Sequence, residues 1–143
     1  MIGLAFHRLN FILEKAPIIL TQISEEKMSE KPAPNKWSKK EIIGHLIDSA
    51  TNNHQRIVRG QFEAIPEICY DQNKWNEYNF YQQIDSKQII LFWTIYNKQL
   101  LEIIKRIPRV DERQNYFDQL VDCDYNKTVL FLGLKTCFLN RQP

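Results

Sequence analysis

Apolar positions along this chain return mainly three and four residues apart, the spacing of helices rather than of half-buried strands. Leu4, Phe6, Leu9, Ile12 and Leu13, continued by Ile19, Leu20 and Ile23, predict a first long helix. Pro17 should kink or interrupt it, because proline removes a backbone donor and clashes with the preceding turn. SEEKMSEKPAPNKW then reads as a loop, with Pro32 and Pro34 disfavouring helix. Ser38 followed by Glu41 has capping-box spacing, and Trp37 with Ile42 occupies the positions of a hydrophobic staple. The helix they open is predicted over residues 39–61.

FEAIPEICYDQNKWNEYNFYQQ follows, an aromatic loop so long that it is either functional or hides a short helix. Asp85 or Ser86 starts the next helix, with Ile89, Ile90, Phe92, Trp93, Tyr96, Leu100, Ile103 and Ile104 as its apolar face. Pro108 ends it. Beyond the polar RVDERQNYFDQLVDCDYNK, the run TVLFLGLKTCFLNRQP is apolar enough for a short, weak fourth helix containing Gly133. The expected fold class is all-α, an up-and-down four-helix bundle whose fourth helix is short or degenerate. One domain over residues 1–143 is expected.

Composition narrows the function classes. A net charge of +2, from 19 basic and 17 acidic residues, gives no basic stripe for nucleic acid. No window approaches the roughly 18 consecutive apolar residues of a membrane span, and the amino terminus lacks the pattern of a signal peptide. Cys69, Cys123 and Cys137 are widely separated, without CxxC, which fits a reduced, cytoplasmic setting.

The candidate chemistry centres on His45. On a helical wheel Glu41, Asp48, Ser49, Asn52 and Arg56 fall within about 60° of it. Ile43, Leu46, Ile47, Ala50 and Ile57 gather on the other side, facing the expected core. His54 lies about half a turn round, so it cannot share a metal with His45 on one straight helix. Two readings of the stripe stand side by side. It is a solvated face with pairs such as Asp48–Asn52 and Asn52–Arg56, or it lines a cleft where His45 offers a nitrogen to a divalent metal. In the second reading Asp48 orients His45, and Asp48, Asn52 and Arg56 face a substrate. The aromatic loop offers Asp71, Asn73 and Trp75 as further substrate contacts, or its rings close one end of the bundle.

KPAPNKWSKKEIIGHLIDSATNNHQRIVR is similar to the second-helix signature of the DinB-like (DinB/YfiT) superfamily of bacterial four-helix-bundle proteins. YDQNKWNEYN and SKQIILFWTIYNKQLLEIIKRIP also resemble one of its subgroups, so the likeness spans roughly residues 4 to 110. The resemblance implies a bundle, often dimeric, with a metal site between helices near one end. Members include thiol S-transferases and other metal-dependent enzymes acting on small molecules, while many have no established activity. The family's metal is held by the histidine of the GHL motif, matched here by His45, and by an HxxxH pair on the last helix.

That pair has no counterpart, since no histidine follows Leu120. A truncated or frameshifted carboxyl terminus is the simplest account of the difference. Asp122, Cys123, Asp124 and Cys137 are substitutes on paper, but their spacing matches no known site. The resulting expectation is a metal-dependent transferase or hydrolase acting on a small molecule, with nickel or zinc if any metal binds, and impaired by the missing ligands. The alternative is an inactive member serving as a small-molecule or protein-binding, dimerising module. A homodimer is expected, and a short fourth helix would leave an apolar patch seeking a partner. No catalytic residue is assigned.

Overall fold

The structure, a computed structural model, describes residues 4–63 and 68–107. Every element among them is helical. Helix α1, Leu4–Leu20, buries Phe6, Leu9, Ile12, Leu13, Ala16 and Leu20 along one stripe. Pro17 does not interrupt it. The helix continues one turn further, and the Pro17 carbonyl closes that turn by accepting from the Thr21 amide (3.0 Å) and hydroxyl (2.8 Å). α1 therefore ends before Ile23, which packs half-buried against the core.

The segment expected to be loop contains α2, Glu25–Ser29. Ser24 caps it by accepting from the Lys27 amide, and acidic Glu25 and Glu26 occupy its first turn, where the helix dipole favours them. α3, Lys39–Arg59, starts where its cap dictates. The Ser38 amide donates to Glu41 Oε2 (2.8 Å) and the Glu41 amide donates to Ser38 Oγ (3.2 Å), so the capping box is complete. The aromatic loop also hides structure: α4, Gln72–Tyr78, and a 3-10 turn at Tyr81–Gln83. α5, Ser86–Arg106, is capped by Asp85, whose Oδ1 accepts from the Lys87 and Gln88 amides. It buries Ile89, Ile90, Trp93, Leu100 and Leu101. Phe92, expected in that face, is instead 52% exposed and stacks on Tyr96 at 5.5 Å.

Polar contacts fix the helix directions. Glu25 accepts from Lys40 Nζ (2.5 Å) through Oε1 and from the Ser86 amide (3.1 Å) through Oε2. The starts of α3 and α5 are thereby tied together. Further along, His54 Nδ1 lies 3.0 Å from the Tyr96 hydroxyl, so α3 and α5 run the same way. They are not joined as up-and-down neighbours; the described residues between them, 60–63 and 68–85, belong to a crossover. α1 runs against α5, with Lys105 near the end of α5 lying 5.4 Å from the ring of Phe6 near the start of α1. The expected fourth helix, Asp122, Cys123, Asp124 and Cys137 lie outside the described residues. Among the described residues no helix is long and apolar enough to cross a membrane.

Candidate functional site

Helix α3 is interior on nearly every side. Its apolar face is buried as the pattern predicts, with Ile43 0%, Leu46 3% and Ala50 0% exposed. The opposite stripe is just as deeply covered: His45 1%, Asp48 2%, Ser49 3% and Asn52 2%. This overturns the solvated-face reading. A polar stripe taken out of water needs partners within the protein, and its members differ in how far they find them.

At the top of the stripe Glu41 is fully engaged. Its carboxylate accepts from the Ser38 amide, from Gln82 Nε2 (3.1 Å) and from Lys31 Nζ (2.8 Å). Burial pushes its pKa up, but Lys31, Ser38 and Gln82 outweigh that and hold it below the usual carboxylate value. Gln82 also donates to Ser38 Oγ (2.8 Å), while its own carbonyl accepts from buried Lys40 (3.0 Å). Glu25, paired with Lys40 and with Ser86, is drawn down to about 2. Asn76 of α4 donates to the Glu41 carbonyl at 2.7 Å. The crossover is thus fastened to the start of α3.

One turn down, the ring of Trp37 packs on His45 at 5.1 Å between centroids. Gly44 explains the next step. A Cβ there would stand 2.1 to 2.5 Å from three ring atoms of Tyr81, so only glycine lets that ring lie against the helix. The ring carries its hydroxyl to Asp48, donating to Oδ1 at 2.6 Å. Asn79 Nδ2 donates to the same oxygen at 2.9 Å. Between these two donors Phe80 adopts a left-handed backbone (φ 54°), which a non-glycine residue holds only where its surroundings enforce it.

Among the described residues Asp48 Oδ2 has no hydrogen-bond partner. Burial raises the Asp48 pKa to about 6, against the smaller lowering by its Tyr81 and Asn79 bonds. The Tyr81 hydroxyl is pushed up in turn, by burial and then by the carboxylate it serves. A buried carboxyl shifted towards neutrality is the kind of group that marks functional sites.

The other residues predicted from sequence divide cleanly. Asn52 is on the Asp48 face and donates its amide to the Asp48 carbonyl at 2.8 Å. Arg56 bonds Asn53 Oδ1 (2.8 Å) and the Ile68 carbonyl, pinning the crossover's entry. Asp71 is exposed and caps α4, accepting from the Asn73 and Lys74 amides at 3.0 and 3.1 Å. Trp75 is half-buried with its ring 5.3 Å from that of Tyr70. Asp71 and Trp75 therefore hold the crossover's own structure, and no bond joins them to Asp48. Gly44 and Asn79 were missed, and Tyr81 was counted only among the aromatic rings of the loop, not as a donor to Asp48. The glycine inside a helical pattern was the available signal, since such a residue marks a close approach. A groove of about 400 Å³ between α1 and α5 is lined by residues including Asn10, Ile95, Lys98 and Glu102. None of the predicted site residues is in it.

A metal centre needs about three converging protein ligands. Among the described residues no group of three His, Cys, Asp or Glu side chains could hold an ion. His7 is exposed on α1, and His54 is engaged with Tyr96. The described donors alone do not fit the metal that the resemblance implies, and no chemical step is derived through one. Comparison with protein-family models, with curated proteins and with solved structures finds no match to this chain.

Proposed function

We propose that this chain is a DinB-like helical-bundle protein whose small-molecule site is the polar face of α3 around His45, Asp48 and Asn52. The activity class that goes with this reading is a metal-dependent transferase or hydrolase. The observation that supports it is the sealed stripe. His45 and Asp48 are at most 2% exposed although neither belongs to the apolar core, and among the described residues one Asp48 oxygen has no partner. Burying an ionisable group in this state is unfavourable, which sets the stripe apart from ordinary packing. Further metal ligands must come from outside the described residues or from a second copy of the chain.

A second reading, a binding module without metal chemistry, is favoured by the donor set, because His45 is the lone imidazole on that stripe. Metal content per chain, in protein purified without a histidine tag, separates the two. Stoichiometric divalent metal that is lost in His45→Ala supports the enzyme. A folded protein that carries no metal, and takes up none from added nickel or zinc, leaves only the binding module.

A further inference from the structure

We propose that Asp48 is the anchoring anion for a small cationic ligand, a primary ammonium group that docks on its Oδ2. The inference rests on the reading of the α3 face as a small-molecule site and names the ligand class. Its geometry is specific. Oδ1 is saturated by two neutral donors, Tyr81 and Asn79, while Oδ2 is buried and unpartnered. Among the described residues the cations of this end are committed elsewhere, Lys31 to Glu41, Lys40 to Glu25 and the Gln82 carbonyl, Arg56 to Asn53 and the Ile68 carbonyl, and the titratable groups on the Asp48 face are His45, packed on Trp37, and Tyr81.

With its pKa raised to about 6, Asp48 is largely ionised at neutral pH. Among the described residues no cationic side chain is bonded to this negative charge, an arrangement that a cation within about 4–6 Å would relieve. A neutral donor could complete the hydrogen bond but would leave the charge. A divalent metal would require more ligands than the described residues bring together. An ammonium group needs only acceptors for its three N–H bonds. Asp48 Oδ2 supplies the first, and the side-chain oxygen of Asn52, one turn on along the same face, is a second candidate. Asn79, which bonds the other Asp48 oxygen, is exposed, so the turn at residues 79–81 is the proposed way in, with the left-handed Phe80 as its strained point.

The test is an NMR titration of chelator-treated protein with n-butylammonium, and with n-butanol as the uncharged analogue. Signals of His45, Asp48 and Asn52 should respond to the amine at concentrations at least about tenfold below those needed for the alcohol. Binding of the amine should strengthen about tenfold between about pH 5 and pH 8, as Asp48 ionises. Asp48→Asn should remove both differences, whereas Tyr81→Phe should keep the preference for the amine. Equal responses to amine and alcohol would overturn the cation but leave the small-molecule site standing. Silence from the α3 face with both probes would overturn the two readings together. A preference that survives Asp48→Asn, or a face that answers only to nickel, zinc or magnesium ions, would also reject the ammonium.

Discussion

Glu41 and Asp48 stand two turns apart on one helix, and both carboxylates are withdrawn from water, at 8% and 2% exposure. Their proton affinities nevertheless move in opposite directions. Burial disfavours the charge on each. Glu41 meets it with a lysine, a backbone amide and a glutamine amide shared over its two oxygens. Asp48 has two neutral donors crowded on one oxygen and nothing on the other. The difference teaches that burial by itself does not single out a site. What singles out Asp48 is burial without compensation, while Glu41 is the finished joint of a scaffold.

The comparison can be broken most forcefully at Gly44. Gly44→Ala places a methyl inside the contact distance of the Tyr81 ring, which must leave the helix and uncover Asp48. A loss of about 3 kcal/mol is expected in urea denaturation, together with a fall of the Asp48 pKa towards the ordinary carboxylate range. A variant as stable as the parent would mean that Tyr81 is not pinned by Gly44.

Next in size is the contrast between the two carboxylates themselves. The folded-state pKa of Asp48 is raised above its unfolded value of 3.8, so the native state holds this proton more tightly. Stability from this group is therefore greatest at low pH, declines between about pH 4 and 6, and stays lower above that. Asp48→Asn should stabilise the protein by about 1 to 2 kcal/mol at about pH 8, less than the full shift because water screens part of the charge. The gain should shrink towards pH 4. Glu41 has the opposite sign: its pKa is lowered, so its contribution is present above the unfolded value of 4.5 and fades as pH falls below it. Glu41→Gln should destabilise by about 1 kcal/mol at neutral pH. Paired denaturation curves across this range check both, and slopes of equal sign for the two variants would dissolve the contrast.

The smallest effect sharpens the picture of Oδ1. Tyr81→Phe keeps the ring over Gly44 and removes a single donor, which should cost about 1 kcal/mol. Asp48 should then titrate higher still, as followed by carboxyl carbon shifts. An unchanged titration would mean that the 2.6 Å bond does not stabilise the ionised form.

Much of the local structure was legible in the residues. The Ser38–Glu41 box, Asp85 and the 3.6-residue periodicity placed α3 and α5 closely, because caps and amphipathic stripes are written in short-range spacing. α2 escaped, and α4, the short helix offered as one reading of the aromatic loop, was not placed, because each is short and carries little periodicity. Their caps, Ser24 and Asp71, were nonetheless present in the sequence. Asp71, offered as a substrate contact, is the cap of α4, and an aspartate before a helix and an aspartate facing a ligand look alike in one dimension. The E-H-D-S-N stripe was found, but not that it is sealed. A wheel shows which residues share a face and is silent on what covers it.

The sequence by itself determined that the chain is helical in these segments, where its long helices begin, and which side chains stand beside His45. Those properties depend on neighbours within a turn or two. Only the tertiary structure decided that α3 and α5 run the same way, that the crossover between them lies against α3, and that Tyr81 reaches Asp48 through the gap left by Gly44. It also decided which of two similar carboxylates is satisfied. Charge compensation depends on groups brought together from distant parts of the chain, at 33 residues' separation for Tyr81 and Asp48, and no local pattern encodes that distance.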